Sequence, residues 1–102
     1  ETYNLKKPAS PNISARNENV EISINPFLIS KSHIKEKVII EGAGGLQVPI
    51  NKDALVSDLV VFFNLPLILV SRTCLGTINH TLMSLEIVKK KKNSTERYYI
   101  CW

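Results

Sequence analysis

Glu41 closes an unbroken apolar run, Val38-Ile39-Ile40, and is followed at once by Gly42-Ala43-Gly44-Gly45. Glycines let the backbone take positive φ and come close to a ligand, with successive N–H groups able to point at an anion. A carboxylate beside such a loop is suited to holding Mg²⁺ on a bound phosphate. The same residues also read as a strand-to-loop turn carrying a solvated glutamate, and the glycines alone do not decide between the two. A second group with chemical potential follows Leu67-Ile68-Leu69-Val70: Gly76 permits a tight turn, and Thr77, Ile78 and Asn79 open a helical pattern. A helix start just after a strand offers free N–H groups and positive partial charge to a carboxylate or phosphate. Ordinary capping by Thr77 is the competing reading. His80 stands in the first turn of that helix, where the dipole disfavours its cation, and it reads as a packing or hydrogen-bonding histidine rather than a base. Cys74 reads as a packed thiol.

The elements that must position these residues follow from patterning. Residues 1–19 carry Pro8, Pro11 and several asparagines without periodicity and read as a connecting loop. Asn25-Pro26 predicts a helix running to about Ile34, with Asn25 as N-cap, Pro26 at the first position, and Ile24 and Ile29 at staple spacing. Residues 38–40 predict a strand buried on both faces, with Glu41 at its C-terminal end, the edge where open α/β sheets bind ligands. Asn51-Lys52-Asp53 is a polar turn, and Val56, Leu59, Val60 and Phe63 at i, i+3, i+4, i+7 give one apolar helical face. Asn64 ends that helix, and Pro66 holds Leu65 extended before the next buried strand, residues 67–70. The two strands joined by this helix imply a parallel pair. A third helix runs from Thr77 to about Lys90, with Ile78, Leu82 and Leu85 as its stripe and Met83 and Ile87 beside it.

Taken together, EGAGGLQVPI and LPLILVSRTCLGTINHTLMSLE closely resemble the dethiobiotin synthetase family, and Pro8-Ala9-Ser10-Pro11 resembles that family's Pro-x-Ser-Pro segment, with Asn12 where the family usually has His. The resemblance implies an α/β fold: part of a P-loop NTPase-like, mostly parallel sheet with helices on both faces, acting as a homodimer. It implies ATP-dependent carboxylation of 7,8-diaminononanoate with CO₂ and closure of a ureido ring, with Mg²⁺ as cofactor. By resemblance, Glu41 helps hold Mg²⁺, and Glu41, Gly42, Ala43 and Gly44 line the nucleotide site. Gly76, Thr77, Ile78 and Asn79 are implied to bind the substrate's distant carboxylate across the dimer interface. No Gly-x4-Gly-Lys-[Ser/Thr] occurs in the sequence, and the family's catalytic lysine is expected upstream of residue 1. The chain therefore reads as an internal portion that is inactive and poorly folded by itself. Competing readings are a fragment of a cobalamin-synthesis amidotransferase-type synthetase, against which the GTINHT helix start argues, and a non-catalytic binding fragment.

Composition sets the remaining bounds. With 102 residues, 44% hydrophobic and 22% charged, the chain has the balance of a globular domain. No apolar run reaches the roughly 20 residues of a membrane span, and no signal-peptide pattern opens the sequence, so a cytoplasmic origin is expected. Two cysteines make neither a disulfide framework nor a metal site. The net charge of +4 is concentrated in Lys89-Lys90-Lys91-Lys92, which suits a solvated helix C-terminus better than a nucleic-acid surface. Residues 1–92 read as the central portion of one domain. Residues 93–102 read as an atypical tail without the strand expected after the third helix. The lysine run is what a poly-A tract encodes, which suggests a shifted reading frame beyond it.

Overall fold

The computed structural model describes residues 3–24 and 38–91 and the backbone of 98–101. The elements in order are α1 (Pro11–Asn17), α2 (Val56–Phe63), β1 (Leu67–Val70), α3 (Thr77–Lys91) and β2 (Tyr98–Cys101). They fall into two compact units, Glu1–Val56 and Ser57–Trp102. The helix expected after Asn25-Pro26 lies outside the described residues.

The first unit is tied together by polar side chains on backbone. Contrary to the loop expected over residues 1–19, Pro11–Asn17 is helical. Pro11 takes the first helical position, where its missing N–H removes no bond. Asn19 takes a left-handed conformation at φ 52°. The Asn19 and Val20 N–H groups then donate to the carbonyls of Arg16 and Ala15, the Schellman pattern that closes a helix. Asparagines that read as loop residues thus include a helix stop. The helix escaped periodicity because the residues it buries are Ser14 and Ala15, which are small, and not a run of large apolar groups. The Ser14 hydroxyl donates to the Lys7 carbonyl at 2.6 Å.

Further along, residues 48–56 fold back on themselves. Pro49 and Leu55 form an antiparallel bridge, and the Val56 N–H donates to the Val48 carbonyl at 3.0 Å. The turn between them is the expected Asn51-Lys52-Asp53, organised by Asn51. Its Oδ1 accepts from the N–H groups of Asp53 and Ala54, at 2.9 and 2.8 Å, the behaviour that makes asparagine a turn residue. Its Nδ2 donates to the Ile22 carbonyl, 29 residues away, at 2.8 Å. Among the described residues of this unit, Ala15, Ile22, Ile50, Ala54 and Val56 are the buried apolar ones.

Residues 38–40 are not a strand, and Ile39 is 91% exposed. A strand buried on both faces needs paired neighbours and covering layers, and no described strand pairs with these residues. The apolar run therefore leads into the Glu41 loop as open chain.

In the second unit the sequence pattern locates α2, β1 and α3. Leu59, Val60 and Phe63 are half-buried while Val61 and Phe62 are exposed, so the i, i+3, i+4, i+7 face is the covered one. Asn64 at φ 50° stops the helix. β1 pairs in parallel with β2 from Leu67↔Tyr98 to Val70↔Cys101. This corrects two expectations. The parallel partner of residues 67–70 is reached through α3 and not through α2, and residues 98–101 supply the strand that the tail seemed to lack. β1 is also not buried on both faces: Leu67 and Leu69 are half-buried, whereas Ile68 is 61% and Val70 76% exposed, the alternation of a sheet covered on one side.

α3 turns a different face inward than its apolar stripe suggests. Thr81 and Val88 are buried, with Thr77, Ser84 and Leu85 half-buried on the same side, while Ile78, Leu82 and Met83 are exposed. The Ser71 hydroxyl at the end of β1 holds Thr77 and Thr81, so hydrogen bonding sets which face turns in. Lys89 and Lys90 are exposed as expected, and Lys91 pairs with Asp58 in the first turn of α2. Both partners are partly exposed, so the pair contributes about 0–1 kcal/mol.

Candidate functional site

Two loops carry the residues with chemical potential, one in each unit. In the first, Glu41, Gly42, Ala43 and Gly44 are all exposed. Their geometry is fixed from two sides. A Cβ on Gly42 would lie 2.7 Å from Val56 Cγ1, a contact that real side chains do not make, so the backbone there sits against the valine where only glycine fits. Gly44 has φ +80° and its Cβ position lies 3.0 Å from Val48 Cγ2. The Val48 N–H donates to the Gly45 carbonyl at 3.0 Å and closes the loop. Of the three glycines that permit positive φ here, only Gly44 adopts it; Gly42 is required by close approach to Val56. Glu41 is thus an exposed carboxylate beside a loop whose shape is held from behind by Val48 and Val56.

Among the described residues no three His, Cys, Asp or Glu side chains converge as a metal site. A lone carboxylate is nevertheless compatible with Mg²⁺, which keeps several waters and is commonly held by one or two carboxylates plus substrate phosphates. Glu41 fits that donor pattern as a single protein ligand.

The second loop joins β1 to α3. Gly76 takes φ +89°, a left-handed conformation that L side chains adopt rarely, with open space around its Cβ position. The Thr77 N–H donates to the Cys74 carbonyl and the His80 N–H to the Gly76 carbonyl, at 3.1 and 3.2 Å. Thr77 is therefore the first residue inside the helix and not its N-cap. Ile78 and Asn79 are exposed in the first turn. His80 and Cys74 are exposed as well, which corrects the packed thiol expected at Cys74 and the packing alternative at His80, because α3 turns its Thr77, Thr81 and Val88 side inward and the Cys74 turn is open to solvent.

Reading the sequence missed Ser71. Its Oγ lies 2.8 Å from Thr77 Oγ1 and 2.6 Å from Thr81 Oγ1, joining the end of β1 to the first turn of α3. The signal was present: two threonines four apart share a helical face, and a serine directly after the strand is within reach of it. In the segment at the start of α1, Ser10 Oγ donates to Asn12 Oδ1 at 2.7 Å.

Comparison with known proteins places the chain in a family. The family model described as an AAA domain matches residues 1–97. The ATP-dependent dethiobiotin synthetase BioD of Methanococcus vannielii is 50% identical over 91 residues, covering 86% of this chain and 43% of the relative. Those of Agrobacterium fabrum and Lawsonia intracellularis are 48% and 45% identical over 91 residues, each covering 89% of this chain and 42% and 43% of the relatives. The chain spans less than half the length of these curated relatives. An AAA-domain match implies a P-loop NTPase-like fold, and the parallel β1–α3–β2 unit is a piece that such a fold contains. The chain belongs to the AAA-domain family of that model, and over most of its own length it is similar to dethiobiotin synthetases.

Proposed function

We propose that the chain is the central portion of an ATP-dependent dethiobiotin synthetase, with residues 1–92 forming part of one domain built on a mostly parallel sheet with helices on both faces. The observation that carries this reading is the 50% identity to a synthetase of that name over 91 residues, which include both glycine loops. The reaction is the carboxylation of one amine of 7,8-diaminononanoate by CO₂ to a carbamate. Transfer of the γ-phosphate of ATP to the carbamate follows, and the second amine then attacks the carbonyl and expels phosphate. The products are dethiobiotin, ADP and phosphate.

The residues divide this work by chemistry. Gly42 and Gly44 let the 41–44 loop pack closely on Val56 and Val48, and the loop's exposed side, with Ala43, receives the nucleotide. Glu41 is the carboxylate that holds Mg²⁺, and the ion when bound supplies charge stabilisation to the phosphates. Gly76, Thr77, Ile78 and Asn79 receive the substrate's carboxylate at the start of α3, where first-turn N–H groups other than that of Thr77, which bonds the Cys74 carbonyl, and the helix dipole favour an anion. Phosphoryl transfer rests on positioning and charge stabilisation, and a P-loop lysine is central to both. The sequence has no Gly-x4-Gly-Lys-[Ser/Thr] segment, so the 102-residue chain alone is inactive on this reading. The complete enzyme is a cytoplasmic homodimer that takes ATP, the diamino acid and CO₂. No described helix is long and apolar enough to cross a membrane.

The test is ADP release by the full-length protein with ATP, Mg²⁺, bicarbonate and 7,8-diaminononanoate. Release that requires both the diamino acid and bicarbonate is expected, with none from the 102-residue chain; release independent of the diamino acid overturns the assignment. Residues 93–102 are proposed as an atypical tail; Tyr98–Cys101 supplies a strand beside β1, so a frame shift within the lysine codons rests on the lysine run alone. Sequencing the gene across Lys89 to Lys92 checks this, and codons incompatible with a single-base shift refute it.

A further inference from the structure

We propose that Ser71 is a positioning residue for the carboxylate site: it accepts the proton of Thr81 and donates its own to Thr77, which leaves the Thr77 hydroxyl as an outward donor to the bound anion. The proposal rests on the reading of residues 76–79 as that site.

The argument is a count of protons. A hydroxyl has one proton to give and lone pairs to receive others. Ser71 Oγ, Thr77 Oγ1 and Thr81 Oγ1 share two short contacts, in each of which either atom could donate. Thr81 sets the direction. It is buried at 8% exposure, and among the described residues its hydroxyl has Ser71 as its hydrogen-bond partner and no other. If Ser71 donated to Thr81, the buried Thr81 proton would have no acceptor, an arrangement that native structures avoid. Thr81 therefore donates to Ser71. The Ser71 proton then has one acceptor among the described side chains, Thr77 Oγ1. A chain of donors running one way also polarises itself, each bond strengthening the next.

The unspent proton is thereby moved to Thr77, the first residue of α3 and only half-buried, beside the helix N–H groups. Had Thr77 spent its proton on Ser71, it would present only lone pairs to an incoming carboxylate, which accepts and cannot donate. Ser71 thus decides whether Thr77 attracts or repels the anion without touching it.

The test uses a full-length dethiobiotin synthetase carrying this β1–α3 segment, with 7,8-diaminononanoate and its carboxamide as paired substrates. Ser71→Ala removes the bond that points the Thr77 hydroxyl outward, and Thr81→Val lets Ser71 accept the Thr77 proton instead of donating its own. A hydrogen bond to a charged group sets the scale, so each is expected to raise KM for the acid about tenfold. The turnover number and the KM for the carboxamide are expected to stay within about twofold, because the lost interaction is specific to the charged group. Ser71→Thr, which keeps the hydroxyl, is expected to restore the acid KM. If the unaltered enzyme does not discriminate acid from amide, the carboxylate site itself is wrong and the proposal falls with it. If it discriminates and both Ser71→Ala and Thr81→Val leave that discrimination intact while lowering the melting temperature, the site stands and the proton relay is overturned. Should Ser71→Ala fail to fold, the acid-to-amide KM ratio of Thr81→Val decides by the same criterion.

Discussion

The loop after Ile40 and the turn after Val70 both need glycine, for opposite reasons. Gly42 is confined by what lies beside it: Val56 Cγ1 occupies the space of a Cβ at 2.7 Å. Gly76 is confined by its own backbone, at φ +89° with nothing near. Behind the first loop stands a hairpin held by side chains on backbone, with Asn51 at its centre. Behind the second stands a regular strand and helix joined by Ser71. The difference teaches that glycines of similar appearance respond differently to substitution: one is a packing constraint that a neighbour can relieve, the other a conformational constraint that no neighbour can.

Substitutions sharpen that contrast when stability of the full-length protein is followed by urea unfolding. The largest effect is expected from Asn51→Ala, which removes two accepted bonds and leaves the Ile22 carbonyl without its donor, for a loss of about 3 kcal/mol. Asn51→Asp, which keeps the acceptor and gives up the donor, is expected to lose less; equal losses would show that the Ile22 bond carries the whole effect. Gly42→Ala comes next, at about 2 kcal/mol, because Val56 is stiff at χ1 and cannot swing away. Val56→Ala combined with it is expected to be less harmful than the sum of the two, a coupling that a double-mutant cycle reads. Additive losses would remove the steric explanation. Gly76→Ala is expected to cost about 1–2 kcal/mol through backbone strain, with Gly76→Asn milder since asparagine tolerates the left-handed region. If trimming side chains around Gly76 rescued Gly76→Ala, the contrast would collapse.

The same division governs what the sequence made legible. The 3.6-residue stripe of Val56, Leu59, Val60 and Phe63 located α2, and Asn64 and Pro66 marked its end and the start of β1, because periodicity and breakers act locally. The Glu41 loop and the Gly76 turn were visible as glycines in context, and family resemblance supplied the chemistry for both. What stayed hidden depends on partners distant in sequence. Helix α1 buries Ser14 and Ala15, too small to mark a period, and Asn51 reaches Ile22 across 29 residues. The strand expected at residues 38–40 failed because an apolar run specifies a strand only where a neighbour pairs with it. The inward face of α3 was misread because Ser71 turns in its threonines and leaves Ile78 and Leu82 outside, an outcome hydrophobicity alone does not predict. The β1–β2 pair joins residues on either side of α3, a long-range pairing that local pattern cannot register.

The central claim is that the exposed carboxylate of Glu41 holds Mg²⁺ for ATP beside the 41–44 loop, and it is tested most directly by Glu41→Gln in the full-length enzyme. The measurement is ADP release against Mg²⁺ concentration, at fixed ATP, bicarbonate and 7,8-diaminononanoate, alongside the melting temperature. Because Glu41 is exposed, melting is expected within about 1 °C of the unaltered enzyme, as for surface substitutions generally. Turnover is expected to fall about 100-fold, with the Mg²⁺ requirement moved to higher concentration, on the scale of losing a preorganised charge interaction in catalysis. An unchanged Mg²⁺ dependence with full turnover would contradict the account and remove Glu41 from the site.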